Sequence, residues 1–207
     1  MQTAIIVAVL AGYLLGNLNG AVTVSSLMED QDVREKGSGN AGITNFFRNY
    51  GGKNMGFVAL IDLGKTVVAC LVGRLLLEPY GFALEGIMLG GLAATLGHDF
   101  PAVLGFRGGK GILCGAGIAL VLDLRIFVLI ISVFAVLFLL TKYVSLGSLV
   151  AAFTFAVSIA LLYWDRPWVV AAGTAVWLLA TFMHRGNISR LIHHTETKTY
   201  LNQNKRS

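Results

Sequence analysis

The sequence predicts an all-α integral membrane protein with seven transmembrane helices, its N-terminus outside and its C-terminus in the cytoplasm. Three observations predict it: an apolar composition, seven apolar runs, two of them short, and a one-sided distribution of basic residues. Of 207 residues, 56% are hydrophobic and only 13% are charged, whereas a soluble domain typically has about 25% charged residues. A charged share this low indicates that lipid surrounds most of the chain.

Each predicted span is an apolar run suited to a helix across a bilayer core, which takes about 20 residues. The first run lacks the basic region and the cleavage site of a signal peptide, so we expect a retained helix. The boundary at Asp123 is the weakest, because residues 112–140 could form one long helix. The seven predicted spans are Ala4–Met28, Met55–Leu77, Phe82–Gly97, Ile112–Leu122, Leu124–Leu140, Val144–Tyr163 and Trp168–Met183.

The basic residues test this count, because cytoplasmic loops of membrane proteins are enriched in Lys and Arg. With seven spans, only Arg74, Arg125 and Arg166 face outside, and Lys65 lies within a span. A six-span arrangement would move the late loops and the tail to the other side and weaken this bias. The cytoplasmic set is Arg34, Lys36, Arg48, Lys53, Arg107, Lys110, Lys142, Arg185, Arg190, Lys198, Lys205 and Arg206.

Several function classes are not expected. The net charge is +5, but no dense basic run or basic stripe with aromatic residues indicates nucleic acid. Cys70 and Cys114 stand alone in apolar runs, which indicates small buried side chains, not a disulfide or a zinc site. His193 and His194 beside Glu196 are too few to predict a metal site. We therefore expect no cofactor and no metal.

The first polar segment between the apolar runs is GSGNAGITNFFR, residues 37–48. Its hydroxyl and amide side chains can donate to phosphate oxygens, and Arg48 can bind phosphate through its planar fork. The glycines would let the backbone approach a ligand closely. The alternative is an ordinary turn followed by a helix cap, since Asn, Ser and Gly are turn residues.

The second and third segments are Gly97–Gly111, which ends in RGGKG, and His184–Glu196. Gly-rich backbone, Lys110 and the N-terminus of the following helix together suit an anion, although the Walker A pattern is absent. A histidine ordinarily titrates near neutrality, so we expect that His184 could act as a base or a donor. The alternative for the second segment is a flexible basic loop, and the alternative for the third is a juxtamembrane basic anchor. Asp62 and Lys65, in the second predicted span, either neutralise each other or face the site. Convergence of the three segments on one side favours a single site for a phosphorylated substrate.

These motifs resemble those of the bacterial membrane glycerol-3-phosphate acyltransferases of the PlsY type, which use acyl-phosphate. The family patterns run approximately GSGNxGxTNxxR, GHxFPxxxxFxGGKG and HRxNIxRLxxGxE, and Tyr143–Ser148 is similar to a fourth stretch. The sequence departs from the family at Gly16–Asn19, usually Gly-Ser-Ile-Pro, and at Cys114, usually threonine. His194 replaces a glycine, which puts the geometry of the tail and the role of Glu196 in question.

The resemblance implies one transmembrane domain, residues 1–207, that transfers an acyl group from acyl-phosphate to the 1-hydroxyl of glycerol-3-phosphate. It implies a bacterial inner-membrane enzyme with a cytoplasmic active site, in contact with membrane lipids and with an acyl-phosphate-forming enzyme as a candidate partner. The residues expected to carry catalysis are Ser38, Arg48, Lys110, His184 and Asn187. Those expected to bind substrate are Gly39, Asn40, Gly42, Thr44, Asn45, His98, Gly108, Gly109, Gly111, Ser145, Ser148 and Glu196.

Two questions stay open at the level of the sequence. Either His184 or a phosphate of the substrate could take the proton from the attacking hydroxyl. The competing function is a transporter of an organic phosphate, which would also need a basic cavity. No internal repeat is evident, and transporters usually place their sites near the bilayer midplane between repeats, so the acyltransferase is favoured.

Overall fold

The structure, a computed structural model, describes residues 1–200, and all regular structure in that part of the chain is helical. Lys205 and Arg206, which were counted among the cytoplasmic basic residues, lie outside the described residues. The α-helices are α1 (Gln2–Gly16), α2 (Gly20–Met28), α3 (Ile43–Tyr50), α4 (Met55–Leu77), α5 (Ala83–Asp99), α6 (Ile112–Leu122), α7 (Leu124–Thr141), α8 (Val144–Leu162), α9 (Pro167–Met183) and α10 (Arg185–Ile192).

The helices have the length and composition of an integral membrane protein. Within residues 1–200, five helical segments are long and apolar enough to cross a bilayer, and the bent pair α9–α10 would make six. Helices α1 and α2 count together as one segment, Gln2–Met28, while α6 is apolar but short. The all-α membrane fold is therefore confirmed, whereas seven spans and the outward N-terminus stay predictions.

Two helix breaks shape the bundle, and only one was predicted. Asp123 has extended backbone (φ −160°, ψ 115°), ends α6, and caps α7 by accepting from the Arg125 N–H at 2.8 Å. The predicted break between residues 112 and 140 is therefore confirmed. The predicted run Ala4–Met28, in contrast, is interrupted between α1 and α2, where the Asn19 side chain caps α2 by accepting from the Val22 N–H.

Helices α1, α4 and α5 pack closely through small residues. Gly73 of α4 and Gly86 of α5 lie backbone to backbone, and a Cβ added to either would collide with the other's carbonyl group. Gly97 of α5 likewise lies against Gly16 and the Tyr13 carbonyl of α1. Such contacts are typical of helix association in lipid, where van der Waals packing replaces the hydrophobic driving force. These three closely packed helices form one side of the bundle.

Helix α7 lies at the opposite side and is mostly exposed to lipid, since Ile126 and Ile130 are its only fully buried residues. It packs chiefly against α8, and α8 packs in turn against α9. A cavity opens between these helices and the loops that precede α3 and α6. The fold thus places the three polar segments at one end of an apolar groove.

Candidate active site

Asn45 organises the first glycine-rich loop. Its side-chain amide donates to the carbonyl oxygens of Val33 (2.9 Å) and Lys36 (3.0 Å), and its Oδ1 accepts from the Ser38 N–H (3.0 Å). Gly37 has φ +58°, a left-handed conformation that glycine adopts without strain. The main role of Asn45 is therefore to hold the loop in one conformation, in which the Ser38 region faces the cavity.

The second glycine-rich loop docks on the first. The Ala41 N–H and the Asn40 side-chain amide both donate to the Gly108 carbonyl oxygen at 3.3 Å. The Gly109 N–H donates to the His98 carbonyl oxygen at 3.0 Å, and a side chain at Gly109 would collide with the His98 ring. Close backbone approach, not flexibility, thus requires Gly108 and Gly109.

The C-terminal segment folds into the same site because α9 and α10 meet at a 60° bend. Lys110 Nζ donates to Asn187 Oδ1, and the Asn187 amide donates to Glu196 Oε1 at 2.8 Å. Ser145 Oγ also donates to Glu196 Oε1 (2.9 Å), and Arg190 Nε donates to Oε2 (2.8 Å). Glu196 therefore links the tail to α8, α10 and, through Asn187, to the Lys110 loop.

His194 has a left-handed backbone conformation, which glycine adopts without strain. Its φ is +57°, and the following Thr195 N–H donates to the Arg190 carbonyl oxygen at 2.8 Å. This left-handed residue ends α10 and turns the chain, so that Glu196 enters the site. The replacement of glycine by histidine does not displace Glu196 from the cavity.

His184 lies at the junction of α9 and α10 with its ring held in one orientation. Its Nδ1 is 2.8 Å from the Ala180 carbonyl oxygen. Because a carbonyl oxygen only accepts, Nδ1 carries the hydrogen and Nε2 keeps a lone pair. His184 is buried and lines the cavity. Burial together with the nearby Lys110 lowers its pKa to about 4, well below the neutral range expected from the sequence, so that Nε2 presents a lone pair to the cavity at neutral pH.

Arg48 lines the cavity, but part of its guanidinium contacts the tail. Nε and Nη2 donate to Thr199 Oγ1 at 3.1 and 2.8 Å, and Nη2 also donates to the Thr197 carbonyl oxygen at 2.9 Å. Within residues 1–200, Nη1 has no protein partner. The tail contact was not anticipated from the sequence, and neither were Thr199 and Arg190 as lining residues.

The electrostatics of the polar end follow from burial and from neighbouring charges. Burial, with Arg190 and Arg48 nearby, lowers the pKa of Lys110 to about 8, although Glu196 opposes the shift. Burial raises the pKa of the Glu196 carboxyl, but hydrogen bonds from Asn187, Arg190 and Ser145 outweigh it, so the net shift is downward. At neutral pH the site therefore holds a charged lysine beside a charged glutamate.

The main cavity has a volume of about 420 Å³ and two chemically different ends. The predicted site residues that line it are Ser38, Asn40, Gly42, Thr44, Asn45, Arg48, His98, Lys110, Gly111, Ser145, Ser148, His184, Asn187 and Glu196. The other end is apolar and is lined by Ile130, Ile131, Phe134, Phe138, Ala151, Ala152, Phe155 and Val176.

Three predicted residues lie elsewhere. Gly39 and Gly108 line a second cavity of about 440 Å³ on the other side of the loops, which it shares with Ser38 and with exposed Arg107 and Arg185. Gly109 lies between the two cavities against His98. Within residues 1–200, no three potential metal-ligating carboxylate, thiol or imidazole side chains come together.

Comparisons with known proteins agree on one family. A family model described as glycerol-3-phosphate acyltransferase matches residues 6–194. A protein of that name from Thermoanaerobacter sp. (strain X514) is 36% identical over 94% of this chain and 95% of its own length. Another, from Finegoldia magna, is 37% identical over 90% of this chain and 91% of its own length.

The comparison with solved structures leads to proteins of the same description. A crystal structure of PlsY (YgiH), an integral membrane glycerol 3-phosphate acyltransferase, in its glycerol 3-phosphate form, matches with a TM-score of 0.85 at 28% identity. The match covers 95% of this chain and 96% of the PlsY chain. The lysophosphatidic acid form of the same protein matches with a TM-score of 0.82. The chain therefore belongs to the glycerol-3-phosphate acyltransferase family, which includes the integral membrane protein PlsY.

Proposed function

We propose that the protein transfers an acyl group from acyl-phosphate to the 1-hydroxyl of glycerol-3-phosphate, giving lysophosphatidic acid and inorganic phosphate. The observation that carries this proposal is the cavity itself, which joins a cationic, donor-rich end to an apolar groove. A phosphorylated head fits the first end and an acyl chain fits the second. A transporter of an organic phosphate would have no use for the apolar end.

The reaction needs no covalent acyl-enzyme, because acyl-phosphate is a mixed anhydride with a good leaving group. The hydroxyl oxygen bonds to the acyl carbon, and the bond between that carbon and the phosphate oxygen breaks. The hydroxyl proton passes to His184 Nε2 or to a substrate phosphate. The protein's main contribution is then to position two substrates and to stabilise negative charge on the carbonyl oxygen.

The roles of the chain's residues follow from their chemistry. Arg48, through Nη1, and Lys110 would hold phosphoryl oxygens with charge-assisted hydrogen bonds. Ser38 and the Gly111 backbone, at the N-terminus of α6, would add neutral donors. Asn187 and Glu196 would hold Lys110 in place. The acyl chain would lie between α7, α8 and α9.

The decisive experiment supplies purified protein with labelled glycerol-3-phosphate and one acyl donor at a time. We expect lysophosphatidic acid from acyl-phosphate and none from acyl-CoA or acyl carrier protein, since the chain lacks the H-x4-D motif of acyltransferases that use those donors. Turnover with acyl-CoA in a preparation free of acyl-phosphate would contradict the proposed donor. A chelator should leave the rate unchanged, because the Lys and Arg side chains supply the positive charge.

We further propose an inner-membrane location with the site facing the cytoplasm and the N-terminus outside. Lys53 and Asp165 are exposed, whereas the native Cys70 and Cys114 are buried. A cysteine at position 53 should therefore react with an impermeant thiol reagent only from the cytoplasmic side, and one at position 165 only from outside. Labelling of both from one side would contradict the arrangement of spans.

A further inference from the structure

A buried ionic cluster lies directly behind the second glycine-rich loop. Lys65 Nζ and Asp62 Oδ1, both from α4, are 2.9 Å apart, with side chains only 1% and 2% exposed. Lys65 also donates to the carbonyl oxygens of Gly16 (3.1 Å) and Leu18, at the break between α1 and α2. The two alternatives left open for this pair both hold in part: the charges neutralise each other, and Asp62 also lines the cavity.

The third member of the cluster is His98 of α5, whose Nδ1 is 2.8 Å from Lys65 Nζ. An ammonium group has three hydrogens to donate and no lone pair to accept with. Lys65 Nζ has four acceptor neighbours for these three hydrogens, the Gly16 and Leu18 carbonyl oxygens, Asp62 Oδ1 and Nδ1, so that one hydrogen is shared. Because the ammonium cannot accept, Nδ1 faces it with a lone pair and not with a hydrogen. Asp62 Oδ1 is 3.4 Å from Nδ1, beyond ordinary hydrogen-bond distance, so a hydrogen on Nδ1 would find a poor acceptor and a repelling cation.

The other ring nitrogen faces the site. His98 lines the main cavity, and its Nε2 edge lies against Gly109, where an added Cβ would collide with it. The His98 carbonyl oxygen also accepts from the Gly109 N–H. Within residues 1–200, Nε2 has no protein hydrogen-bond partner. A hydrogen on Nε2 is thus available at the edge of the Gly108–Gly111 loop.

We propose that Lys65 is a positioning residue that fixes His98 as the Nε2–H tautomer, so that the imidazole donates a hydrogen bond to a phosphoryl oxygen at the Gly108–Gly111 loop. Asp62 holds Lys65 in place through their 2.9 Å ion pair. Lys65 of α4 contacts both the α1–α2 break and His98 of α5. The position of the Nε2–H donor therefore depends on the α1–α2 break, α4 and α5 together. The identity of the phosphorylated ligand rests on the proposed function, but the tautomer does not.

The tautomer can be measured without any activity. In protein labelled with ¹⁵N-histidine, His98 should show a protonated Nε2 and an unprotonated Nδ1, with His98→Gln used to assign the resonances. Lys65→Met should move the hydrogen to Nδ1, where only Asp62 remains as a partner. A protonated Nδ1 in the unmodified protein would overturn the proposal, and that result needs no folded variant.

Inorganic phosphate tests the donor half of the proposal. Its binding can be followed by ³¹P line broadening, and the Nε2 resonance of His98 should shift in step with it. Bound phosphate with an unmoved Nε2 resonance would overturn the proposed hydrogen bond. Because neither measurement uses acyl transfer, failure of the proposed function would leave these results unaffected.

Paired amide variants then test the effect on catalysis. Glutamine places its amide nitrogen near the position of Nε2, whereas asparagine places it near Nδ1. We expect His98→Gln to retain activity within about tenfold, and His98→Asn to lose roughly 10- to 100-fold more in kcat/KM. Equal losses in the two variants would contradict a donor at the Nε2 position, with thermal unfolding measured for both as the control for folding.

Discussion

Two histidines line the same cavity, are equally buried at 4% exposure, and yet have opposite hydrogen-bonding faces. The Nδ1 of His98 contacts an ammonium group, whereas the Nδ1 of His184 contacts a carbonyl oxygen. The first neighbour can only donate and the second can only accept. The ring nitrogen that faces the cavity is therefore a donor in His98 and an acceptor in His184.

The comparison shows that the partner of the hidden nitrogen, not the degree of burial, assigns the role of each ring. A reaction in which a hydroxyl loses a proton near two phosphoryl groups can use both roles. The acceptor removes the proton, and the donor binds the charged oxygens. The predictions below separate the two roles and test the charges around them.

The largest expected effect is at His184. In His184→Asn the amide can still donate to the Ala180 carbonyl oxygen, but the proton acceptor at Nε2 is lost. If His184 is the base, kcat for lysophosphatidic acid formation should fall about 10²- to 10⁴-fold. His193→Asn is the matched control, because His193 makes the same contact with the Ser189 carbonyl oxygen (2.7 Å) but is exposed.

The outcome of this experiment also decides between the two bases left open by the sequence. If a substrate phosphate takes the proton, His184→Asn should lose less than about tenfold, and the control should match the unmodified protein. A loss as large in His193→Asn as in His184→Asn would show that the effect comes from the fold of α9 and α10, not from proton transfer.

Arg48 should show the next largest effect. Arg48→Lys keeps the charge but loses the planar fork, and we expect a roughly 10- to 150-fold loss in kcat/KM. Thr199→Val removes a tail acceptor and leaves Arg48 unchanged, so its activity should stay close to normal. Equal impairment of both variants would show that Arg48 anchors the tail and does not bind phosphate.

Most of the predicted site residues line one cavity, and the sequence could single them out because they come in three compact motifs. It could not predict the contact between Lys65 and His98, which are 33 residues apart, since no periodicity or motif links α4 to α5 at that point. The Arg48–Thr199 contact, 151 residues apart, is hidden for the same reason. Both depend on packing between helices.

Of the two helix breaks, the sequence likewise predicted one and missed the other. The break at Asp123 was predicted because an acidic residue beside Arg125 interrupts an apolar run. The break at Asn17–Asn19 was not predicted, since two asparagines leave the run apolar enough to read as one span. Its cause is the Asn19 cap together with the Gly16 and Leu18 carbonyl groups, which accept from Lys65 instead of from the next helical turn.

The pH dependence of kcat/KM that arises from Lys110 should be a smaller effect than those at His184 and Arg48. With a pKa of about 8, Lys110 is charged at neutral pH and loses its proton as the pH rises through 8. Because kcat/KM reports the free enzyme, it should fall above pH 8, by about tenfold per unit at the limit. Lys110→Arg should remove this fall, since arginine stays charged, and an unchanged profile in that variant would contradict the assignment.

The smallest expected effect is at His194, which lies outside the cavity. Its φ of +57° costs a non-glycine residue about 1 kcal/mol, so His194→Gly should stabilise the protein by about 0.5–1 kcal/mol and raise Tm by roughly 1–4 °C. His193 has φ −88°, and His193→Gly should instead destabilise, because glycine gains nothing there and loses chain entropy. Activity should be normal in both variants. A lower Tm in His194→Gly would show that contacts of the histidine side chain stabilise the tail. The left-handed backbone of this non-glycine residue would then not reduce the stability of the protein.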